Sequence, residues 1–164
     1  MPPRTGGWPI RPEETRFLLR SIEAARRARA RGDQPFGAVL VDAQGNVLLE
    51  GENTVATQRD CTGHAESNLM RDATKRFAPE VLAGCTMYAS TEPCAMCAGA
   101  IFWGGVRRVV FSLSSVEFAK RVGTARGGLA MSCREVFERG SSPTEVEGPI
   151  ALQEARDVHA GAWD

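Results

Sequence analysis

The chain has no surplus charge: 20 Lys and Arg against 20 Asp and Glu in 164 residues give a formal net charge of zero. A general nucleic-acid coat is thereby excluded, because such a protein needs excess cations to displace phosphate counterions. No stretch approaches the ~20 apolar residues that a membrane helix requires. The opening Met1-Pro2-Pro3-Arg4-Thr5-Gly6-Gly7 lacks the apolar core of a secretion signal, so the cytoplasm is the expected location. In that reducing compartment the five Cys are expected as thiols or metal ligands rather than as a disulfide framework. Internal repeats, low-complexity tracts and linkers are missing too. A single domain over residues 1–164 is expected, with an irregular arm over 1–12 and a C-terminal helix and tail over 150–164 placed to cover a site. Within the neutral total the charge is uneven: residues 1–31 hold eight Arg against three Glu, and 134–164 hold three Arg against seven acids.

Periodicity then orders the elements. Phe17, Leu18, Ile22 and Ala25 recur at helical spacing from Glu13 on, with Arg on the other side. Residues 36–41 form an apolar run of strand length. A turn at 42–46 leads to a second strand from Val47 to about Gly51, and residues 53–63 read as polar loop. Leu69, Met70, Ala73 and Phe77 mark a helix stopped near Pro79. Residues 86–90 are a strand, 94–103 a helix, 109–111 a strand and 114–122 another helix. Such alternation predicts an α/β sheet with right-handed crossovers. Glycines and Pro143 over 123–150 predict loops around one short strand near 134–138, and 152–160 a last helix.

Two short clusters carry chemistry. His64-Ala65-Glu66 follows the loop Asp60-Cys61-Thr62-Gly63, and Pro93-Cys94-Ala95-Met96-Cys97 opens a helix. Cysteines three apart at a helix start put both sulfurs on one face, where they can hold one ion. The first-turn amides and the helix dipole favour the thiolate that binds metal. With His64 as a third ligand, one tetrahedral position is left for water, the pattern of catalytic zinc. Glu66 beside that water could take its proton, leaving zinc-bound hydroxide to attack a carbon bearing an amine. It would then protonate a ring nitrogen and the departing ammonia. Positions i and i+2 diverge on a regular helix, so either His64 sits at the helix edge or Glu66 reaches back.

His64-x-Glu66 with Pro93-Cys94-x-x-Cys97 resembles the zinc-dependent cytidine deaminase superfamily. Pro35-Phe36-Gly37-Ala38-Val39, Gly51-Glu52-Asn53 and residues 91–101 look like the branch of guanine, cytosine and tRNA adenosine deaminases. The resemblance runs from about Glu13 to Phe118. It implies a three-layer α/β/α sandwich on a five-stranded mixed, mainly parallel sheet, usually as a homodimer or larger oligomer. It also implies one zinc ion per chain on His64, Cys94 and Cys97, with Glu66 as the proton shuttle. Asn53, Phe36, Ala65, Glu117 and Trp163 are the substrate-binding residues it points to. Asn53 would meet a ring edge, Phe36 an aromatic wall, and Trp163 would close the pocket.

Plainer readings stand beside these. Cys61 with His64, Cys94 and Cys97 could form a closed structural zinc site. Otherwise Cys61, Cys85 and Cys133 are small buried fillers. Asn53 could cap a strand, Glu117 could be a solvated helix side chain, and Phe36 and Trp103 are expected in the core. His159 is expected as a surface or packing residue. For the substrate, the acidic C-terminal segment and the run Ser112-Leu113-Ser114-Ser115-Val116-Glu117 depart from the tRNA enzymes. A small free base or analogue (guanine-, cytosine- or triazine-like) is therefore expected as substrate, and nucleic acid and membrane are not expected as partners. The alternatives are a tRNA-specific adenosine deaminase and an inactive zinc-stabilised interaction module.

Overall fold

The computed structural model describes residues 10–123 and 127–163, so most of the expected N-terminal arm and Asp164 lie outside the described residues. A 3-10 turn at Pro12–Glu14 leads into α1 (Thr15–Ala30). Then follow β1 (Gly37–Val41), β2 (Val47–Glu52), α2 (Val55–Gln58), α3 (Ala65–Arg76), α4 (Pro79–Ala83), β3 (Thr86–Thr91), α5 (Ala95–Gly104), β4 (Arg108–Leu113), α6 (Ser115–Val122), α7 (Cys133–Glu138), β5 (Glu145–Glu147) and α8 (Gln153–Asp157).

The sheet order is β2-β1-β3-β4-β5. Strand β1 is antiparallel to both β2 and β3, whereas β4 is parallel to β3 and to β5. Four strands thus run one way and β1 the other, a five-stranded mixed α/β sheet as expected. Side chains alternate between two covered faces. Ala38, Leu40, Met87, Ala89, Val109 and Phe111 pack with Ala65, Leu69 and Ala73 of α3, Ala98 and Ile101 of α5, and Phe137 of α7. Val39, Val41, Tyr88 and Val110 pack with Phe17 and Leu18 of α1. Beside α1, α8 covers the end of β4 through Ala155 with Val158, against Ile22, Ala25 and Leu113.

Several local readings change. The strand expected near 134–138 is the helix α7, and the short strand of that region is β5. The cause is a reciprocal cap: the Glu135 amide donates to Ser132 Oγ at 3.2 Å, and the Ser132 amide donates to Glu135 Oε2 at 2.7 Å. The polar loop contains α2, and Pro79 starts a further short helix after α3 has ended. Trp103 is not in the core but 86% exposed, and Cys61 is exposed rather than a buried filler.

At the start of β4 a buried ionic cluster joins the sheet to α1. Tyr88 Oη donates to Glu14 Oε1 at 2.6 Å, and Arg108 reaches Glu14 at 2.5 Å and Glu147 at 2.8 Å. Burial by itself would raise the Glu14 carboxyl, but the hydrogen bonds from Arg108 and Tyr88 outweigh it and hold the group down at about 2.

The opposite edge depends on a close approach. A Cβ at Gly51 would collide with the Ala65 carbonyl oxygen and lie 2.8 Å from Leu69 Cβ, so α3 reaches the sheet only over a residue without a side chain. Gly51→Ala is expected to lower stability by about 1–3 kcal/mol in urea unfolding, the usual cost of overpacking. Unchanged stability would mean that the first turn of α3 moves freely.

Candidate active site

Because β1 runs against its neighbours, it begins where β2 and β3 end: Gly37 pairs with Glu52, and Ala38 with Ala89. Residues just past these ends collect on one sheet edge. They are Phe36 before β1, Asn53 after β2, Glu92 to Cys94 after β3, and Ser114 after β4. Backbone bonds tie them together, from the Asn53 amide to the Phe36 carbonyl (3.2 Å) and from the Glu92 amide to the Leu113 carbonyl (2.7 Å).

Two helices start at this edge. His64 is the N-cap of α3 with an extended backbone (φ −71°, ψ 150°), and Cys94 is the N-cap of α5 (φ −68°, ψ 171°). The i, i+2 difficulty disappears at an N-cap. His64 lies outside the helical repeat, so its ring is free of the angular spacing that α3 imposes on Glu66. His64 Nδ1 lies 3.5 Å from both Cys94 Sγ and Cys97 Sγ, and the three ligand atoms all lie within 4.8 Å of one another. Zinc with bonds of ~2.3 Å to sulfur and ~2.0–2.1 Å to nitrogen needs about 3.6 Å between the two donor types in a tetrahedron. The donor set therefore fits zinc in chemistry and in spacing. Cys61 is exposed and outside the cluster, which removes the closed four-ligand alternative among the described residues.

The electrostatics suit this role. Hydrogen bonding from Cys97 and His64 holds the Cys94 thiol down at about 4, and the positive end of α5 acts in the same sense. Cys97 is pushed upward by sharing its proton with Cys94 and by its burial, with Ser67 Oγ 3.3 Å from its sulfur. Hydrogen bonding to Cys94 raises His64. Glu66, second residue of α3 and buried, is pushed up to about 7, first by burial and then by the charge of Cys94, while its own amide and His64 pull the other way. A carboxyl poised near neutrality can both take and give a proton.

Asn53 is buried, with Oδ1 accepting from the Val55 amide at 3.0 Å and its carbonyl accepting from Arg31 Nη2 at 2.9 Å. Its Nδ2 has no hydrogen-bond partner among the described residues, and such an orphaned buried donor calls for a ligand. Support comes from residues that sequence reasoning passed over. Asp33 accepts from the Thr57 amide (2.8 Å), Thr57 Oγ1 (2.9 Å) and Arg31 Nε (2.9 Å), bracing α2 behind Asn53. Glu92 accepts from Ser115 and from the Cys133 amide, tying the turn before Cys94 to α6 and α7.

Trp163 lies 5.9 Å from Phe36 between ring centroids, and Phe118 and His159 complete the aromatic cluster at 5.3 and 5.4 Å from Phe36. Phe118 and His159 were not among the expected site residues. The signal was available for His159, one of only two histidines, and for Phe118, which adjoins Glu117. Ala65 is buried in the first turn of α3, under Gly51. The Glu117 carboxylate accepts from Arg156 at 2.7 Å and from Arg121 at 2.9 Å, and these bonds, Arg156 first, hold it down at about 2.

Residues 11–113 match the cytidine and deoxycytidylate deaminase zinc-binding region. The chain is 40% identical over 152 residues to a probable cytosine deaminase of Schizosaccharomyces pombe, spanning 90% of this chain and 91% of that one. Over 109 residues it is 41% identical to a tRNA-specific adenosine deaminase of Haemophilus influenzae, 66% of this chain and 63% of the other. The X-ray structure of guanine deaminase from Bacillus subtilis superposes with a TM-score of 0.57 at 37% identity, over 65% of this chain and 68% of that one. The chain belongs to the zinc-binding cytidine and deoxycytidylate deaminase family.

Metal analysis after exhaustive dialysis tests the donor set. Cys94→Ser and Cys97→Ser are expected to lose zinc, whereas Cys61→Ser retains it at the wild-type ratio. Loss on replacing Cys61 would restore the closed structural site.

Proposed function

We propose that the protein is a zinc-dependent hydrolytic deaminase of a small free nucleobase or close analogue, of the guanine, cytosine or triazine type. The observation that carries this reading is the three-donor cluster, its atoms all within 4.8 Å of one another, with the buried Glu66 carboxyl in the adjoining helical turn. Zinc in this donor set supplies Lewis-acid activation of water. Glu66 accepts the proton of the attacking water at a carboxylate oxygen and delivers it to the ring nitrogen. It then takes the proton of the newly formed C–OH group and passes it to the amine, so a C=O bond forms as the C–N bond breaks and nitrogen departs as ammonia. Asn53 Nδ2 donates to an acceptor on the ring edge. Phe36 and Trp163 wall the base and exclude water.

The arginines of α1 weigh against a polynucleotide. Arg20 and Arg27 pair with Glu50, Arg27 and Arg31 with Glu52, Arg26 with Glu23, and Arg29 donates to the Val158 carbonyl at 2.9 Å. Arginines already paired within the chain offer less to a phosphate backbone than free ones would. The second reading, a tRNA-specific adenosine deaminase, draws on the 41% identity to such an enzyme.

Ammonia release from cytosine, guanine, an aminotriazine and a tRNA decides between them. Turnover of a free base is expected, and Glu66→Gln is expected to keep its zinc while losing about 10²–10⁴-fold in rate. Equal rates for wild type and variant would remove Glu66 from the mechanism. No turnover on any substrate would favour the interaction module, and tRNA turnover that collapses as salt rises would favour the second reading.

The reading includes a homodimer in the cytoplasm. Among the described residues no helix is long and apolar enough to cross a membrane. Helix α5, however, exposes Met96 (37%) and Trp103 (86%) on the face where Gly99 opens to free space. Residues 96, 99, 100 and 103 lie at helical spacing on one face. Packed antiparallel on a second copy, each Trp103 would face the partner's Met96 end, with small residues at the centre, an arrangement that complements itself under a two-fold axis. Trp103→Glu is expected to halve the mass in light scattering. An unchanged mass would place the contact elsewhere.

A further inference from the structure

We propose that His159 is a positioning residue for the deaminase site: its Nδ1 fixes the Trp163 indole against Phe36, and its Nε2 anchors that closure to Thr91 beside the zinc-binding turn. The inference rests on the proposed base pocket and extends it to a residue that contacts neither metal nor reacting atoms.

Trp163 follows α8 in a stretch without regular structure, so no helix or strand fixes its indole. Among the described residues, His159 meets the ring through the bond from Trp163 Nε1 to Nδ1 at 3.2 Å and a stacked contact at 5.8 Å between centroids and 20° between planes. The chain turns back between these residues through Gly161 at φ +66°, and the Ala162 amide donates to the His159 carbonyl at 3.2 Å. An indole N–H donates only, so the imidazole must accept at Nδ1 and carry its hydrogen on Nε2. That hydrogen points to Thr91 Oγ1 at 3.4 Å, on the last residue of β3 and three before Cys94. Both ring nitrogens are therefore committed, one to the tail and one to the sheet edge.

His159 is 4% exposed, and its imidazole lies 5.2 Å from the Phe118 ring and 5.4 Å from the Phe36 ring. Burial, followed by the positive charges of Arg121 and Arg29, pushes its pKa down to about 4, which keeps it neutral and able to accept. A cavity of about 310 Å³ bounded by Arg121, His159, Ala160, Gly161 and Trp163 gives the indole room to swing once the bond is lost.

Two variants separate the two nitrogens. Asn carries its oxygen where His carries Nδ1, so His159→Asn keeps an acceptor for Trp163 and gives up Thr91. His159→Leu removes both. In zinc-loaded full chain carrying 5-fluorotryptophan, with the Trp163 resonance assigned from Trp163→Phe, His159→Leu is expected to move that resonance toward its solvent-exposed position. His159→Asn is expected to leave it near wild type. On the base that the panel identifies, His159→Leu should raise KM about 3- to 10-fold, the worth of one hydrogen bond, with kcat changed less than about twofold. Trp163→Phe in the Leu background should add nothing further. Should the Leu variant not fold, His159→Gln, which retains a donor toward Thr91 and removes the Nδ1 acceptor, takes its place with the same expectation. Identical resonances for Asn and Leu, or a loss confined to kcat, would overturn the proposal. The fluorine measurement needs no turnover, so it decides on His159 even if no base is deaminated.

Discussion

The site depends on two helix N-termini meeting at one edge of a sheet. His64 and Cys94 are both N-caps, and only such residues combine an extended backbone with a place at the positive end of a helix. That position frees the imidazole from the helical repeat that orients Glu66, and sets one sulfur where unpaired amides favour the thiolate. Cys97, one turn along α5, completes the set, and Ser67 of α3 reaches across to it. The two helices can lie this close because α3 sits on Gly51 and because the apolar α5 packs Ala98 and Ile101 into the same core as Leu69 and Ala73. The chemistry of the edge is thus a consequence of packing on the face beneath it.

The arginines of α1 belong to the same construction. As a sequence they resemble a surface for phosphates. In the fold they meet Glu50 and Glu52 on β2, an outer strand of the sheet, and Arg31 continues inward to the Asn53 carbonyl and to Asp33. Asp33 in turn holds α2 by both atoms that Thr57 offers. A charged helix face therefore serves to fix one amide, that of Asn53, whose Oδ1 is spent on the Val55 amide and whose Nδ2 stays available. Surface pairs of this sort contribute little to stability individually. Their consequence here is positional.

How much of this could be read in advance follows from burial. Strands β1, β3 and β4 are covered on both faces, so they stand out as unbroken apolar runs, and the metal ligands stand out through spacing alone. Helix α7 was hidden because six residues carry too few turns for periodicity, although Ser132 and Glu135 spell its cap. Trp103 was misassigned for a related reason: α5 is apolar on every side, and a sequence cannot tell which side lacks a neighbour. Phe36, Phe118, His159 and Trp163 are scattered along the chain and become neighbours only when β1, α6 and the segment after α8 close over one edge. No local pattern marks such a group.

That last cluster also bears on how the proposed site would work. A free base offers little binding energy beyond its flat faces and polar rim, so the protein has to enclose it to displace water from the carbon under attack. Under that proposal an irregular segment past the last helix, held among the described residues by an indole N–H and ring contacts, would exclude water and still open between turnovers. A closing element built into the sheet would lose that balance, because opening it would break ladder bonds. The family match ends at residue 113, before α6, α8 and Trp163. The part that matches the family thus holds the three metal donors, Glu66, Asn53 and Phe36, and the part that follows it adds Phe118, His159 and Trp163 to the same aromatic cluster.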